Sequence, residues 1–256
     1  ILGVKSFFFF LEFFMETRLV STNSGHSGRV RYTQVLEATF RQIVAQLNPD
    51  LVVEVGAHEG SFSRWAKGSF PNVPVIAFEA NPVVFKKYKK RLITAGVDYR
   101  NVAITSDAGA IKLKVPMRSD NEEALRMGSV LDLKDRKHVE YTVDALRLDD
   151  SVFVESERSV AWIDVEGAAR SVLDGGEKFF EGCRAAYLEV EARERWAGQG
   201  TFDTVREKLA DFGLVPVLRD VQRRDWQFNA LFLRQSDLRI PSIEDAITRH
   251  FQIIFA

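Results

Sequence analysis

Four residues near two short apolar runs have the types and spacing of a small-molecule binding turn. Glu54, Gly56 and Gly60 lie at and after the end of the first run, at 51–55, and Glu79 directly follows the second run, at 75–78. Glycine lets the backbone approach a ligand closely and start a helix. An acid that ends the second strand of a βαβ unit can accept hydrogen bonds from both hydroxyls of a ribose. The pattern therefore predicts a ligand that contains a nucleoside.

The spacing of the glycines indicates which nucleoside ligand is bound. A dinucleotide site has the pattern G-x-G-x-x-G, whose middle glycine makes room for a pyrophosphate. This chain has Ala57 and His58 where further glycines would be needed. The acid at Glu54 would repel a diphosphate, but it suits a ligand with an ammonium group and a sulfonium. S-adenosylmethionine has both groups and no phosphate, so it is the predicted cofactor.

A second acidic segment follows another buried strand, predicted at 160–163. Ligands of open α/β sheets lie beyond the carboxyl ends of the strands, so we expect Asp164 in the same crevice as Gly56 and Glu79. Glu166 would share the face of Asp164 if the extended backbone continued. The next strand ends in a similar way, with Glu189.

Composition excludes several classes of protein. The net charge of −1 over 256 residues gives no electrostatic footprint for nucleic acid. Cys183 is the only cysteine, so there is no intrachain disulfide, and a reducing, cytoplasmic compartment is expected.

The segment at 7–15 is intensely apolar and rich in phenylalanine. It is too short to span a bilayer, and Glu12 interrupts it, so we expect no stable membrane insertion. We expect it to pack against the domain or against a second subunit, as in a homodimer. Attachment to a membrane surface is the alternative.

Apolar strand patterns alternate with helical patterns along most of the chain, which predicts an α/β fold with a doubly wound, mostly parallel sheet. The predicted strands are 51–55, 75–78, 99–104, 160–163 and 185–190, and the predicted helices include 61–67, 169–180 and 201–212. Segments 110–115 and 139–146 alternate like antiparallel strands. The gap between the last two strands, 214–218 and 228–233, is too short for a helical crossover, so they form an antiparallel terminal hairpin. This is the layout of class I (Rossmann-like) methyltransferases.

The order and spacing of several segments resemble the FkbM family of S-adenosylmethionine-dependent methyltransferases. The segments are VEVGAHEG at 53–60, FEANP at 78–82, NVAI at 101–104, GSVL at 128–131, TVDAL at 142–146, IDVEG at 163–167 and YLEV at 187–190. The family usually has Asp, Asn, Lys and Glu where this chain has Glu54, His58, Trp162 and Ala169. The change at Glu54 keeps the charge. The resemblance predicts a methyltransferase domain at 51–234, after a helical extension at 1–50 and before a tail at 235–256.

The resemblance implies methyl transfer to a hydroxyl of a sugar or secondary metabolite, so the partner would be a small-molecule or glycan acceptor. Asp164 is the first candidate for the base, His58 the second, and His138 a weaker one. The residues expected to bind the cofactor are Glu54, Gly56, Ala57, Gly60, Glu79, Ala80, Asn81, Ala103 and Asp164. The residues expected to bind the acceptor are Ser129, Glu166 and Glu189.

Three alternatives remain open at this point. A divalent metal held by Asp164, Glu166 and Glu189 could acidify the hydroxyl, but no dedicated ligand spacing is present, so no metal site is predicted. An NAD-dependent oxidoreductase has the same architecture and an acid after its second strand, although the missing glycine and the terminal hairpin disfavour it. A non-catalytic nucleotide-binding protein is the third alternative.

Overall fold

The computed structural model describes residues 26–132, 137–152, 155–220 and 226–255, with side chains from residue 31 onward. The Phe-rich segment at 7–15 lies outside these residues. Its packing, and the homodimer considered with it, therefore stay predictions.

A seven-stranded sheet organises the described part of the chain, in the order β3-β2-β1-β7-β8-β10-β9. Its strands are β1 (Leu51–Val55), β2 (Val75–Phe78), β3 (Asp98–Arg100), β7 (Ser159–Ile163), β8 (Cys183–Glu191), β9 (Leu214–Arg219) and β10 (Gln227–Arg234). The first five strands in this order are parallel. Strand β10 is antiparallel to both β8 and β9. The predicted α/β fold, with its mostly parallel sheet and antiparallel terminal hairpin, is confirmed.

A smaller sheet stands beside the main one, in the order β4-β6-β5. It comprises β4 (Ala103–Ile104), β5 (Gly109–Pro116) and β6 (His138–Leu146), and β5 and β6 form the predicted antiparallel pair. The single strand predicted at 99–104 is wrong, because the chain leaves the main sheet after β3 and joins the small sheet at β4. Asn101 lies at this crossing, where its Nδ2 donates to the carbonyl oxygen of Glu79 at 2.7 Å.

Helices cover both faces of the main sheet and form two apolar cores. One face packs against α1 (His26–Leu47), α2 (Ser61–Ser69), α3 (Pro82–Thr94) and α7 (Pro241–Phe255), and the other against α4 (Ala169–Asp174), α5 (Glu177–Gly182) and α6 (Phe202–Asp211). The single helix predicted at 169–180 is therefore wrong, and the break falls at Gly175. A Cβ atom there would lie 2.1 Å from the carbonyl oxygen of Thr105, so only glycine permits this approach. Within the described residues, no helix combines the length and apolar character needed to cross a membrane.

The helices at the two ends of the described chain share the core of the central domain. In α1, the ring of Phe40 lies 5.9 Å from that of Trp162 and 5.5 Å from that of Tyr187, both on the central strands. Helix α7 packs on α1, where the Thr39 hydroxyl lies 3.0 Å from His250 Nδ1. Parts of the segments predicted as an extension (1–50) and a tail (235–256) thus complete one layer of the fold.

Candidate active site

The turn after β1 is held to β2 by backbone hydrogen bonds. The amides of Gly56 and Ala57 both donate to the carbonyl oxygen of Phe78, each at 2.9 Å. The turn needs left-handed backbone at Gly56 (φ +78°) and at Gly60 (φ +60°), which glycine adopts without strain. A Cβ atom at Gly60 would also lie 2.4 Å from Leu92 Cδ2, so this glycine lets α3 pack against the turn.

The Glu79 carboxylate is fixed at the carboxyl end of β2 by two backbone donors. Its Oε2 accepts from the amide of His58 at 2.8 Å, and its Oε1 accepts from the amide of Asn81 at 2.7 Å. Burial raises the pKa of Glu79 to about 7. Each carboxylate oxygen has a second acceptor position, so this side chain can still bind two hydroxyls.

Asn81 combines a structural role with an unused donor. Its Oδ1 caps α3 by accepting from the amides of Val83 (3.0 Å) and Val84 (3.4 Å). Its Nδ2 is buried and has no hydrogen-bond partner within the described residues. A buried amide without a partner is costly, and a bound ligand would supply the missing acceptor.

Glu54 connects β1 to α2. Its Oε2 accepts from the amide of Ser63 at 2.8 Å and also from the Ser63 hydroxyl. Only 3% of Glu54 is exposed, and this burial raises its pKa to about 7. Glu54 is paired with Trp162 on the neighbouring parallel strand β7.

Asp164 follows β7 and faces the same turn. Its amide donates to the carbonyl oxygen of Val55 at 2.9 Å, and its side chain opens into a cavity. The protein around that cavity removes enough water to raise the pKa of Asp164 to about 6. The charge of Glu37 acts in the same direction, and the charge of Arg126 in the opposite one.

His58 contributes through its backbone. It adopts φ +47°, donates its amide to Glu79, and accepts the Tyr99 hydroxyl on its carbonyl oxygen at 2.8 Å. Its ring packs 5.1 Å from that of Tyr88. Burial, and then the charge of Arg126, lower the pKa of His58, so the imidazole is neutral near pH 7.

These side chains line one cavity of about 310 Å³ at the carboxyl ends of the parallel strands. The predicted cofactor-binding residues found in its walls are Glu54, Gly56, Ala57, Glu79, Ala80, Asn81, Ala103 and Asp164. Gly60 instead shapes the turn behind the wall. The sequence did not single out Glu37, from α1, or Arg126, from the loop between β5 and β6, both of which line the cavity.

The sequence model of the "Methyltransferase FkbM domain" matches residues 54–215, which is more than half of the chain. The chain belongs to the FkbM methyltransferase family. The predicted family is thereby confirmed, and it favours a methyltransferase over the NAD-dependent oxidoreductase and the non-catalytic protein.

Two curated relatives support this membership. The 2-O-methyltransferase NoeI of Sinorhizobium fredii is 27% identical over 190 residues, which cover 68% of this chain and 78% of NoeI. Methyltransferase sdnD of Sordaria araneosa is 26% identical over 223 residues, which cover 74% of this chain and 83% of sdnD.

Solved methyltransferase structures also resemble the chain at low identity. A methyltransferase FkbM from Methylobacillus flagellatus is 14% identical with a TM-score of 0.47, covering 72% of this chain and 43% of that one. The magnesium protoporphyrin IX methyltransferase of Synechocystis, with bound SAM, is 12% identical with a TM-score of 0.42, and the match covers 90% of this chain and 97% of that one. The chain thus spans less than half of the length of the M. flagellatus protein.

Of the predicted acceptor residues of this FkbM-family chain, one lies in the described walls of the cavity and the others do not. Ser129 lines the cavity, but its hydroxyl donates to the carbonyl oxygen of Glu166 at 2.7 Å and accepts from the amide of Leu131 at 3.2 Å. Glu166 has φ +43°, so the backbone turns after Asp164, and the extended form that would place both acids on one face does not continue.

Glu166 and Glu189 are absent from the described walls of the cavity. Glu189 accepts from Gln227 Nε2 at 2.8 Å, and burial followed by the nearby Asp164 charge raises its pKa. Acceptor binding by these residues stays a prediction. No group of three or more His, Cys, Asp or Glu side chains in the described part of the chain is arranged to hold a metal ion.

Two departures from the family pattern belong to the apolar cores. The Trp162 ring stacks on Tyr187 with centroids 3.8 Å apart and on Phe62 at 5.1 Å, beneath the cavity. Ala169 is buried at the start of α4. Trp162 thus supplies an aromatic floor to the cavity where a lysine would place a charge.

Proposed function

We propose that this FkbM-family protein is an S-adenosylmethionine-dependent O-methyltransferase acting on a hydroxyl of a sugar or another small molecule. The carrying observation is the Glu79 carboxylate, which is buried at the end of β2 and held by the amides of His58 and Asn81. It lines the cavity with acceptor positions to spare. A ribose diol has the donors that this arrangement requires.

The other walls also fit this cofactor. Gly56 and Ala57 keep the turn free of large side chains beside the methionine portion. The carboxylates of Glu37, Glu54 and Asp164 suit an ammonium group and a sulfonium. The unpartnered Asn81 Nδ2 offers a donor to the nucleoside.

S-adenosylmethionine, when bound, supplies a methyl group activated by a positive sulfur. The chain's own task is to orient the acceptor hydroxyl in line with that group and to take its proton. Asp164 suits the second role, because it opens into the cavity and its pKa of about 6 leaves it ionised at neutral pH. The name of NoeI, a 2-O-methyltransferase, supports a hydroxyl acceptor.

Isothermal titration with S-adenosylmethionine, S-adenosylhomocysteine and NAD tests the cofactor. We expect the first two to bind and NAD not to bind. Transfer of a tritiated methyl group to a panel of monosaccharides and hydroxylated metabolites then tests the acceptor class. Binding of NAD in preference to S-adenosylhomocysteine would refute the proposal.

A further inference from the structure

The charges that line the cavity are almost all of one sign. Its described walls contain five carboxylates, those of Glu37, Glu54, Glu59, Glu79 and Asp164. Arg126 is the only permanently cationic side chain among the described residues that line it. His58 is neutral near pH 7, because burial lowers its pKa. Any anionic group of a ligand therefore has one permanently cationic partner, Arg126, in these described walls.

The loop that carries Arg126 is tied to the small sheet. The amide of Ala124 donates to the carbonyl oxygen of Pro116, at the end of β5, at 2.8 Å. The Tyr141 hydroxyl of β6 donates to the two carboxylate oxygens of Glu123 at 2.9 and 2.8 Å. The Arg126 side chain thus projects from an anchored segment.

The Arg126 guanidinium has no hydrogen bond or ion pair with any residue that the structure describes, and the side chain is exposed. It lies close enough to Asp164 and His58 for its charge to lower the pKa of both groups. A guanidinium offers paired donors that match the two oxygens of a carboxylate. The group is therefore available to a ligand that enters beside Asp164.

We propose that Arg126 binds the carboxylate at the amino-acid end of S-adenosylmethionine, an inference that rests on the proposed function. That end carries an ammonium group and a carboxylate. The acids of the cavity suit the first but repel the second, since like charges in a partly desolvated site interact strongly. Arg126 removes this repulsion and orients the methionine portion relative to Asp164.

Decarboxylated S-adenosylmethionine is the decisive probe, because it lacks the carboxylate but keeps both positive charges. We expect Arg126→Gln to weaken the binding of S-adenosylmethionine by about tenfold or more in isothermal titration, as for loss of a charge-assisted pair. Binding of the decarboxylated form should stay equal or become tighter, since a repelling positive charge is gone. Arg126→Lys should restore part of the affinity for S-adenosylmethionine.

Arg118→Gln is the matched control. Arg118 is an exposed arginine of the same loop, it pairs with Asp120 at 3.0 Å, and it is not among the lining residues. This variant should bind both ligands as the wild type does. Unchanged binding of S-adenosylmethionine by a folded Arg126→Gln protein, or an equal loss for both ligands, would overturn the inference alone. A wild-type protein that binds neither ligand would overturn the proposed function and this inference together.

Discussion

A Cβ atom at position 56 would lie 1.8 Å from the backbone carbonyl oxygen of Asp164. The ends of β1 and β7 approach so closely that only glycine fits between them. From the sequence alone, Gly56 is explained by the close approach of a ligand, and this distance gives a different reason. The glycine is needed first by the protein backbone, and the same contact brings Asp164 to the turn.

Gly56→Ala should therefore reduce stability as well as binding. We expect the free energy of unfolding in urea to fall by about 3 kcal/mol or more, from the strained φ and the backbone clash together. Binding of S-adenosylmethionine should be lost. Gly198→Ala is the control, because Gly198 has a similar φ of +76° but nothing within 4 Å of its Cβ position. Equal losses of stability in the two variants would contradict this, because they would mean that the strand ends separate enough to accommodate the alanine side chain.

Glu79→Gln tests the ribose contact with little change in volume. The amide loses the charge and one acceptor oxygen, so we expect S-adenosylmethionine to bind about tenfold more weakly or worse. Glu59→Gln is the control, because Glu59 also lines the cavity but is 40% exposed and pairs with Arg91 at 3.6 Å. Wild-type affinity in a folded Glu79→Gln protein would show that the ribose does not bind to Glu79.

The sheet could be predicted from the sequence because buried strands and short gaps have local signatures. The antiparallel hairpin of β9 and β10 followed from the length of one loop. The failures arose where tertiary contacts decide the outcome. Where the chain passes from one sheet to the other, Asn101 donates to the carbonyl oxygen of Glu79, and at the helix break Gly175 lies against the backbone of the distant Thr105.

The clustering of Glu54, Glu79 and Asp164 at one cavity could be predicted, because they lie at or near the carboxyl ends of the neighbouring parallel strands β1, β2 and β7. The positions of Glu37 and Arg126 could not be predicted, since they come from a helix before the first strand and from the loop between β5 and β6 of the small sheet. Each looks like an ordinary surface charge, and only the packing of α1 and of the small sheet brings it to the cavity. Glu166 was placed by assuming a continued strand, and its positive φ breaks that assumption.

Cofactor affinity should depend on pH through Glu54 and Glu79. Burial raises the pKa of each from 4.5 to about 7, so the ligand-free protein favours their protonated forms below pH 7. Their contribution to folding stability is complete below pH 4.5 and is lost as the pH rises through 7. The positive charges of the cofactor favour ionised Glu54, and the two ribose hydroxyls favour ionised Glu79 as their acceptor, so binding should tighten by about tenfold or more between pH 6 and pH 8. Titrations at these two pH values check this, and Glu79→Gln should reduce the dependence; affinity that falls over this range would contradict it.

Asp164→Asn distinguishes two possible roles of Asp164, as the base or as the group that binds the ammonium. The substitution is nearly isosteric, so if Asp164 is the base, S-adenosylmethionine affinity should change little while kcat falls about a hundredfold. If Asp164 instead binds the ammonium group, the dissociation constant should rise while kcat at saturation survives. The assay uses tritium transfer to whichever acceptor the screen identifies, with Glu59→Gln as the control.

The pH profile adds an independent check on the role of Asp164. A base must be ionised, and desolvation by the cavity walls raises the pKa of Asp164 to about 6, with the charge of Glu37 adding to the shift. The wild-type kcat should therefore rise with pH through a midpoint at or below about 6, because the bound sulfonium lowers the pKa of a nearby carboxyl further, and Asp164→Asn should lose that rise together with most of its turnover. If the pH profile of kcat is unchanged in the variant, another group takes the proton of the acceptor hydroxyl. His58, which lines the same cavity and is neutral near pH 7, would then be the next residue to substitute.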